Sequence, residues 1–119
     1  MLPDFQALAN ADYCYLTTAG RVSGAPHTIE IWFALNGHTL YMLSGAGDKA
    51  DWVKNALYLP TVQVKINDIV FPGQARLVND EEEDAIARRL VAEKYIPRSS
   101  DDLSDWSRSA LPVVVDLMT

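Results

Sequence analysis

The pair Asn36-Gly37 sits between two runs that alternate polar and apolar residues, Thr28–Leu35 and Thr39–Leu43. Such a pair between alternating runs is a strong short-range signal for a β-hairpin, because both residues tolerate the positive φ that a two-residue turn demands. The chain is therefore expected to build on antiparallel strands. Tyr13–Thr18, rich in aromatic and β-branched residues, reads as the strand before it, with a turn over Ala19–Pro26 marked by Gly20, Gly24 and Pro26. These three strands read as a β-meander. Farther on, Val62, Val64 and Ile66 alternate with Gln63 and Lys65, Asn67-Asp68 turns the chain, and Ile69–Val78 returns, bent near Pro72-Gly73. Val113–Leu117 reads as a last, buried strand.

Helical spacing interrupts this pattern in few places. Residues 5–11 fit a short amphipathic helix, Asp48–Tyr58 a second ended by Pro60, and Asp80–Tyr95 a third closed by Pro97. Helices do not alternate with strands, so a parallel α/β sheet is excluded. The expected fold is mainly β (α+β), a small six-stranded barrel with two or three short helices, in one domain over residues 1–119.

Charge narrows the partners. The net charge is −6, and residues 80–119 hold ten acids against five bases. Nucleic acid is a poor partner for such a chain, which lacks a basic stripe to meet phosphates. The run Asp80–Asp84 suits a helix first turn, where the macrodipole favours anions, and Asp80 with Glu83 has capping-box spacing. No run of apolar residues is long enough for a membrane-spanning helix and the start lacks a secretory pattern, so a cytoplasmic location is expected. No metal-ligand cluster is evident, and Cys14 in its apolar run reads as a buried thiol.

Two glycine-rich turns carry the chemistry. Gly20-Arg21-Val22-Ser23-Gly24 joins a planar guanidinium to a backbone able to converge N–H groups on an anion, although a plain hairpin with a surface arginine has the same pattern. Ser44-Gly45-Ala46-Gly47, followed by Asp48-Lys49 and a helix start, permits close approach of a ligand, or is a simple strand-to-helix loop. Together they favour a small anionic ligand. His27 opens the strand after the first turn and suits either a ligand contact or a structural role, whereas His38 reads as solvated. Trp32 and Trp52 fit the walls of a flat aromatic ring or the core equally well.

The ordered set T-T-x-G-R-x-S-G-x-P, a strand with W-F, L-S-G-x-G-D-x-x-D-W-V-x-N, V-x-V-x-I, A-R-x-V and W-x-x-x-x-L-P-V resembles the deazaflavin-dependent nitroreductase/quinone-reductase family from Leu16 to Leu117. The resemblance implies a split β-barrel related to the FMN-binding pyridoxamine-phosphate-oxidase fold, with coenzyme F-420 as cofactor and FMN as the alternative. By position, Arg21, Ser23 and Gly24 would meet the coenzyme's phosphate and anionic tail, and Ile29, Glu30, Ile31 and Trp32 would run along its rings. Ser44, Gly45 and Gly47 would approach the ring edge, while Trp52 and Asn55 complete the pocket. Val22 stands where better-known members carry a lysine, leaving Lys49 or Lys54 to compensate, and Ser100 and Leu103 stand where some carry pocket tyrosines.

The implied activity is hydride transfer from reduced F-420 to an electron-poor small molecule, such as a quinone, enone or nitroaromatic. Ser44 is the candidate donor to the acceptor's oxygen. A non-catalytic binder of a deazaflavin or small ligand is the other reading, and a homodimer is the expected assembly.

Overall fold

The computed structural model describes residues 4–118. Seven antiparallel strands form one sheet: β1 (Cys14–Ala19), β2 (Pro26–Ile31), β3 (Ala34–Asn36), β4 (Thr39–Ser44), β5 (Thr61–Ile66), β6 (Ile69–Leu77) and β7 (Leu111–Leu117), in the order β2-β1-β5-β6-β7-β4-β3. The helices are α1 (Phe5–Leu8), α2 (Asp51–Tyr58), α3 (Glu81–Tyr95) and α4 (Ser104–Ser109), with 3-10 turns at Gly47–Lys49 and Ile96–Arg98.

Connectivity dictates the curl. β2 and β3 end the sheet on opposite sides, yet only Trp32 and Phe33 separate them in the chain. Two residues cannot cross a flat seven-stranded sheet, since neighbouring strands lie about 4.8 Å apart. The sheet must roll until its ends approach, and the result is a half-barrel.

This arrangement corrects three expectations. The run Thr28–Leu35 is two strands, which makes seven strands rather than six. The early strands are not a meander: β4 pairs with β3 and β7, and with neither β1 nor β2. Among the described residues there are four α-helices, and α3, at 15 residues, is not short. The β3–β4 turn is also shifted by one residue, its central pair being Gly37-His38, with Gly37 at φ +61. His38 is exposed, one face of its ring against Phe5 at 4.3 Å.

Two apolar layers hold the sheet. Leu16, Met42, Val64, Phe71 and Val115 fill the inside, closed by Val53 and Ala56 of α2. On the other face of β4 and β7, Tyr41, Leu43 and Val114 pack against Ala87, Val91 and Tyr95 of α3. β4 and β7 are thus covered on both sides, which explains the unbroken Val113-Val114-Val115 run. Gly73 of β6 is required by close packing: a Cβ there would run into a Val115 methyl and stand 3.1 Å from the Asp116 carbonyl.

Asp80 caps α3 by accepting from the Glu83 N–H at 2.8 Å. The return arm of the capping box is redirected, because Glu83 accepts from the N–H of Asn79 and grips Arg76 instead. Among the described residues no helix is long and apolar enough to cross a membrane.

Candidate functional site: two clefts flanking the second strand

The turn between β1 and β2 is tightly wound. Gly20 N–H donates to the Ala25 carbonyl (2.8 Å), and Gly24, at φ +75, donates to the Gly20 carbonyl (2.7 Å). A Cβ on Gly20 would fall 2.9 Å from His27 Nε2, so a larger residue there would make the exposed imidazole shift off the turn. Asn55, buried on α2, fixes Arg21 twice: its Oδ1 accepts from the Arg21 backbone N–H (3.1 Å) and from Nη1 (2.7 Å). The other arm of the guanidinium, Nη2, donates to Asp51 Oδ1 at 3.2 Å. Among the described residues the N–H groups of Val22 and Ser23 have no partner.

These groups line a cleft of about 350 Å³ with His27, Ile29 and Trp52. Its lining carries one fixed cation, Arg21, opposed by one carboxylate, Asp51, whose side chain is 84% exposed. Val22 is 95% exposed and brings no charge. Thr18, opposite His27 in the β1–β2 register, has its Oγ1 buried without a hydrogen-bond partner among the described residues.

A second, more apolar cleft of about 510 Å³ is lined by Glu30, Ile31, Trp32, Leu43, Leu103 and Trp106. Trp32 stacks flat on Tyr95 (4.4 Å, 2°) and meets the edge of Trp106 (5.8 Å, 86°). The Trp106 indole N–H has no hydrogen-bond partner among the described residues.

Of the residues named from the sequence, Arg21, Ser23, His27, Ile29, Trp52 and Asn55 share the first cleft, and Glu30, Ile31 and Trp32 border the second. Gly24, Ser44, Gly45, Gly47 and Lys49 line neither. Ser44 is buried and its hydroxyl donates to the Gly47 carbonyl (2.9 Å), which pins the turn where Gly47 takes φ +63. Gly45 runs against Trp106, and a Cβ there would stand 3.6 Å from the indole Cδ1, in ordinary contact. Lys49 is exposed in the 3-10 turn.

Sequence reasoning missed Asp51, Trp106 and Tyr95. Asp51 was findable, since it precedes Asn55 by four residues and so shares its helix face. Trp106 and Tyr95 join the site only through tertiary packing of α3 and α4. Burial pushes the Tyr95 hydroxyl up to about 12 and draws Lys94, beside it, down to about 8.

The curled antiparallel sheet is that of a split barrel, with the arginine-bearing glycine turn and the aromatic cleft on either side of β2. Solved structures share the fold: an F420-H2 dependent reductase (23% identity over 90% of this chain and 94% of the other, TM-score 0.70); a Listeria innocua protein assigned to the pyridoxamine 5'-phosphate oxidases (20% identity, 96% and 88%, TM-score 0.66); and a chain described as a domain-swapped dimer (24% identity, 90% and 80%, TM-score 0.71). The chain belongs to the F420H2-dependent quinone reductase family, whose model matches residues 5–118. It is an F420-dependent oxidoreductase, and its cofactor is coenzyme F-420.

The residues present fit that group. An anionic tail requires a cation and convergent donors, and the first cleft offers the Arg21 fork together with the unpartnered N–H groups of Val22 and Ser23. A planar ring requires apolar walls, which Ile29 and Trp52 supply.

Proposed function

We propose that this chain reduces an electron-poor, flat acceptor, a quinone, enone or nitroaromatic, with F-420 seated between the Gly20–Gly24 turn and α2. The observation that carries the reading is the double anchoring of Arg21 by Asn55, which holds a guanidinium at the mouth of a cleft with free backbone donors. Reduced deazaflavin supplies a hydride when bound. The protein's share is binding and orientation. Arg21, Ser23 and the N–H groups of Val22 and Ser23 hold the phosphate, with Gly24 giving the turn its left-handed exit. Ile29 and Trp52 wall the rings, and His27 closes the turn side.

The acceptor lies in the Trp32–Trp106 cleft, whose mostly apolar lining suits a flat ring while leaving it open to solvent. The Trp106 indole N–H is the available donor to its carbonyl or nitro oxygen. Ser44 serves by holding the Gly45–Gly47 turn, its own proton being engaged on Gly47. No carboxylate or imidazole stands ready as a dedicated acid in the second cleft except Glu30, whose carboxylate accepts from Tyr15 at 3.5 Å, so solvent delivers the proton.

The exposed face bearing Tyr15, Lys65 and Val70 has no helix over it and suits pairing with a second copy, giving a homodimer. Steady-state assays with F-420H2 and menadione or a nitroaromatic test the reading. Turnover that falls at least tenfold in Trp106→Phe, with F-420 affinity unchanged, supports it. Tight F-420 binding with no turnover of either acceptor contradicts it and favours a carrier.

A further inference from the structure

The break between β2 and β3 leaves Phe33 without a strand neighbour for its peptide groups, and the C-terminal end of α3 satisfies both. Phe33 N–H donates to Tyr95 Oη (3.0 Å), and that hydroxyl donates onward to the Asp12 carbonyl (2.8 Å). Lys94 Nζ donates to the Phe33 carbonyl (2.9 Å) and lies 3.7 Å from the centre of the Phe33 ring. The Tyr95 ring is then the platform on which Trp32 lies flat. Tyr95 is buried and borders neither cleft, whereas Trp32 is 39% exposed and forms a wall of the apolar one. One helix end thus fixes the backbone beside Trp32 and the plane of its indole.

We propose that Tyr95 and Lys94 are positioning residues that set the Trp32 ring and thereby the shape of acceptor the apolar cleft admits, flat rings being favoured over bulky or branched ones. This rests on the reading of that cleft as the acceptor site. The physical basis is that a stacked indole on a hydrogen-bonded platform has a single low-energy plane, while a freed one samples several rotamers. Tyr95→Phe keeps the stack but removes both hydroxyl bonds. Lys94→Met keeps the packing over Phe33 but removes the bond to its carbonyl.

The test is a double-mutant cycle with two readouts on the purified protein. The first is the near-UV circular dichroism contributed by Trp32, taken as the difference from the same protein carrying Trp32→Leu. The second is the KM for menadione, with the F-420 dissociation constant followed separately. We expect both variants to weaken the Trp32 band and to raise KM, Lys94→Met by about fivefold, the net worth of its one lost hydrogen bond, and Tyr95→Phe, which loses two, by at least as much. F-420 affinity and kcat should stay within twofold, and the KM effect should vanish in the Trp32→Leu background. An unchanged Trp32 band in both variants overturns the positioning role. A KM rise that persists without Trp32 overturns it equally, since the effect would then not pass through the indole. A weakened band with KM untouched in Trp32→Leu itself overturns the assignment of the cleft to the acceptor, and the specificity role falls with it.

Discussion

Replacing Glu83 with glutamine should loosen the helix that carries this platform. Glu83 meets Arg76 in a two-pronged pair (2.6 and 2.9 Å), accepts from the N–H of Asn79 (2.8 Å), and is reached by the Tyr41 hydroxyl at 3.4 Å. Arg76 also grips Asp116 of β7 (2.7 Å), so a single guanidinium ties the first turn of α3 to β6 and β7. The Arg76 guanidinium, bonding directly, holds the Glu83 carboxyl down at about 2. An unfolded glutamate titrates near about 4.3, and each unit of difference is worth about 1.4 kcal/mol, which sets a ceiling of about 3 kcal/mol. The pair is partly wet, with side chains 29% and 17% exposed, and screening trims the expected loss to about 1–2 kcal/mol.

The sign follows from the depressed value. The contribution is complete above about pH 4.3, where the unfolded carboxylate is already charged, and it disappears as pH falls toward about 2. Urea unfolding of wild type and Glu83→Gln at pH 7 should therefore differ by about 1–2 kcal/mol, with the gap closing between about pH 5 and pH 2. A gap under about 0.5 kcal/mol at pH 7, typical of an ordinary surface change, would refute the anchoring role. A gap of equal size at acid pH would refute the electrostatic origin.

Other predictions follow from single contacts. Gly73→Ala should destabilise the protein by about 2 kcal/mol through the overlap with Val115 and Asp116, read as a lower urea midpoint with unchanged slope. Arg21→Ala should weaken F-420 binding at least tenfold, about 1.4 kcal/mol, and an unchanged dissociation constant removes Arg21 from the site. Asp51→Asn should do the opposite. Asp51 occupies the Arg21 arm that a phosphate would use, so removing its charge should tighten F-420 binding by about fivefold at low salt, a gain that shrinks as salt rises. Weaker binding in Asp51→Asn would show that the carboxylate orients Arg21 rather than competing for it.

Much of the scaffold was legible because it rests on local chemistry. Thr61–Ile66 alternates strictly and forms β5 over those same residues, and Asn67 takes the positive φ (54°) its turn requires. The Asp80 cap and Pro97 bracket α3 much as helix physics demands. The break at Trp32-Phe33 was not legible. Its residues are as strand-prone as their neighbours, and what ends the strand is a pair of side chains, Lys94 and Tyr95, some sixty residues downstream. The same gap hid the barrel closure, since a meander and a rolled sheet share identical hairpins up to that point.

At the site, the arginine turn stood out by its glycines and cation, whereas Asn55 came only from the family resemblance. The opposition of Asp51 to Arg21 depends on how α2 docks beside the turn, a tertiary fact. The aromatic cleft likewise assembles from β2, β4 and α4, and Trp106, which pattern alone would assign to the core, lines it.

Fluorescence titration with F-420 and with FMN tests the account most directly, because Trp52 lines the first cleft and Trp32 the second. Quenching that saturates at micromolar F-420, with FMN at least tenfold weaker and both curves shifted in Arg21→Ala, is the predicted result. Saturation by FMN at lower concentration than F-420, or quenching indifferent to Arg21, would contradict it.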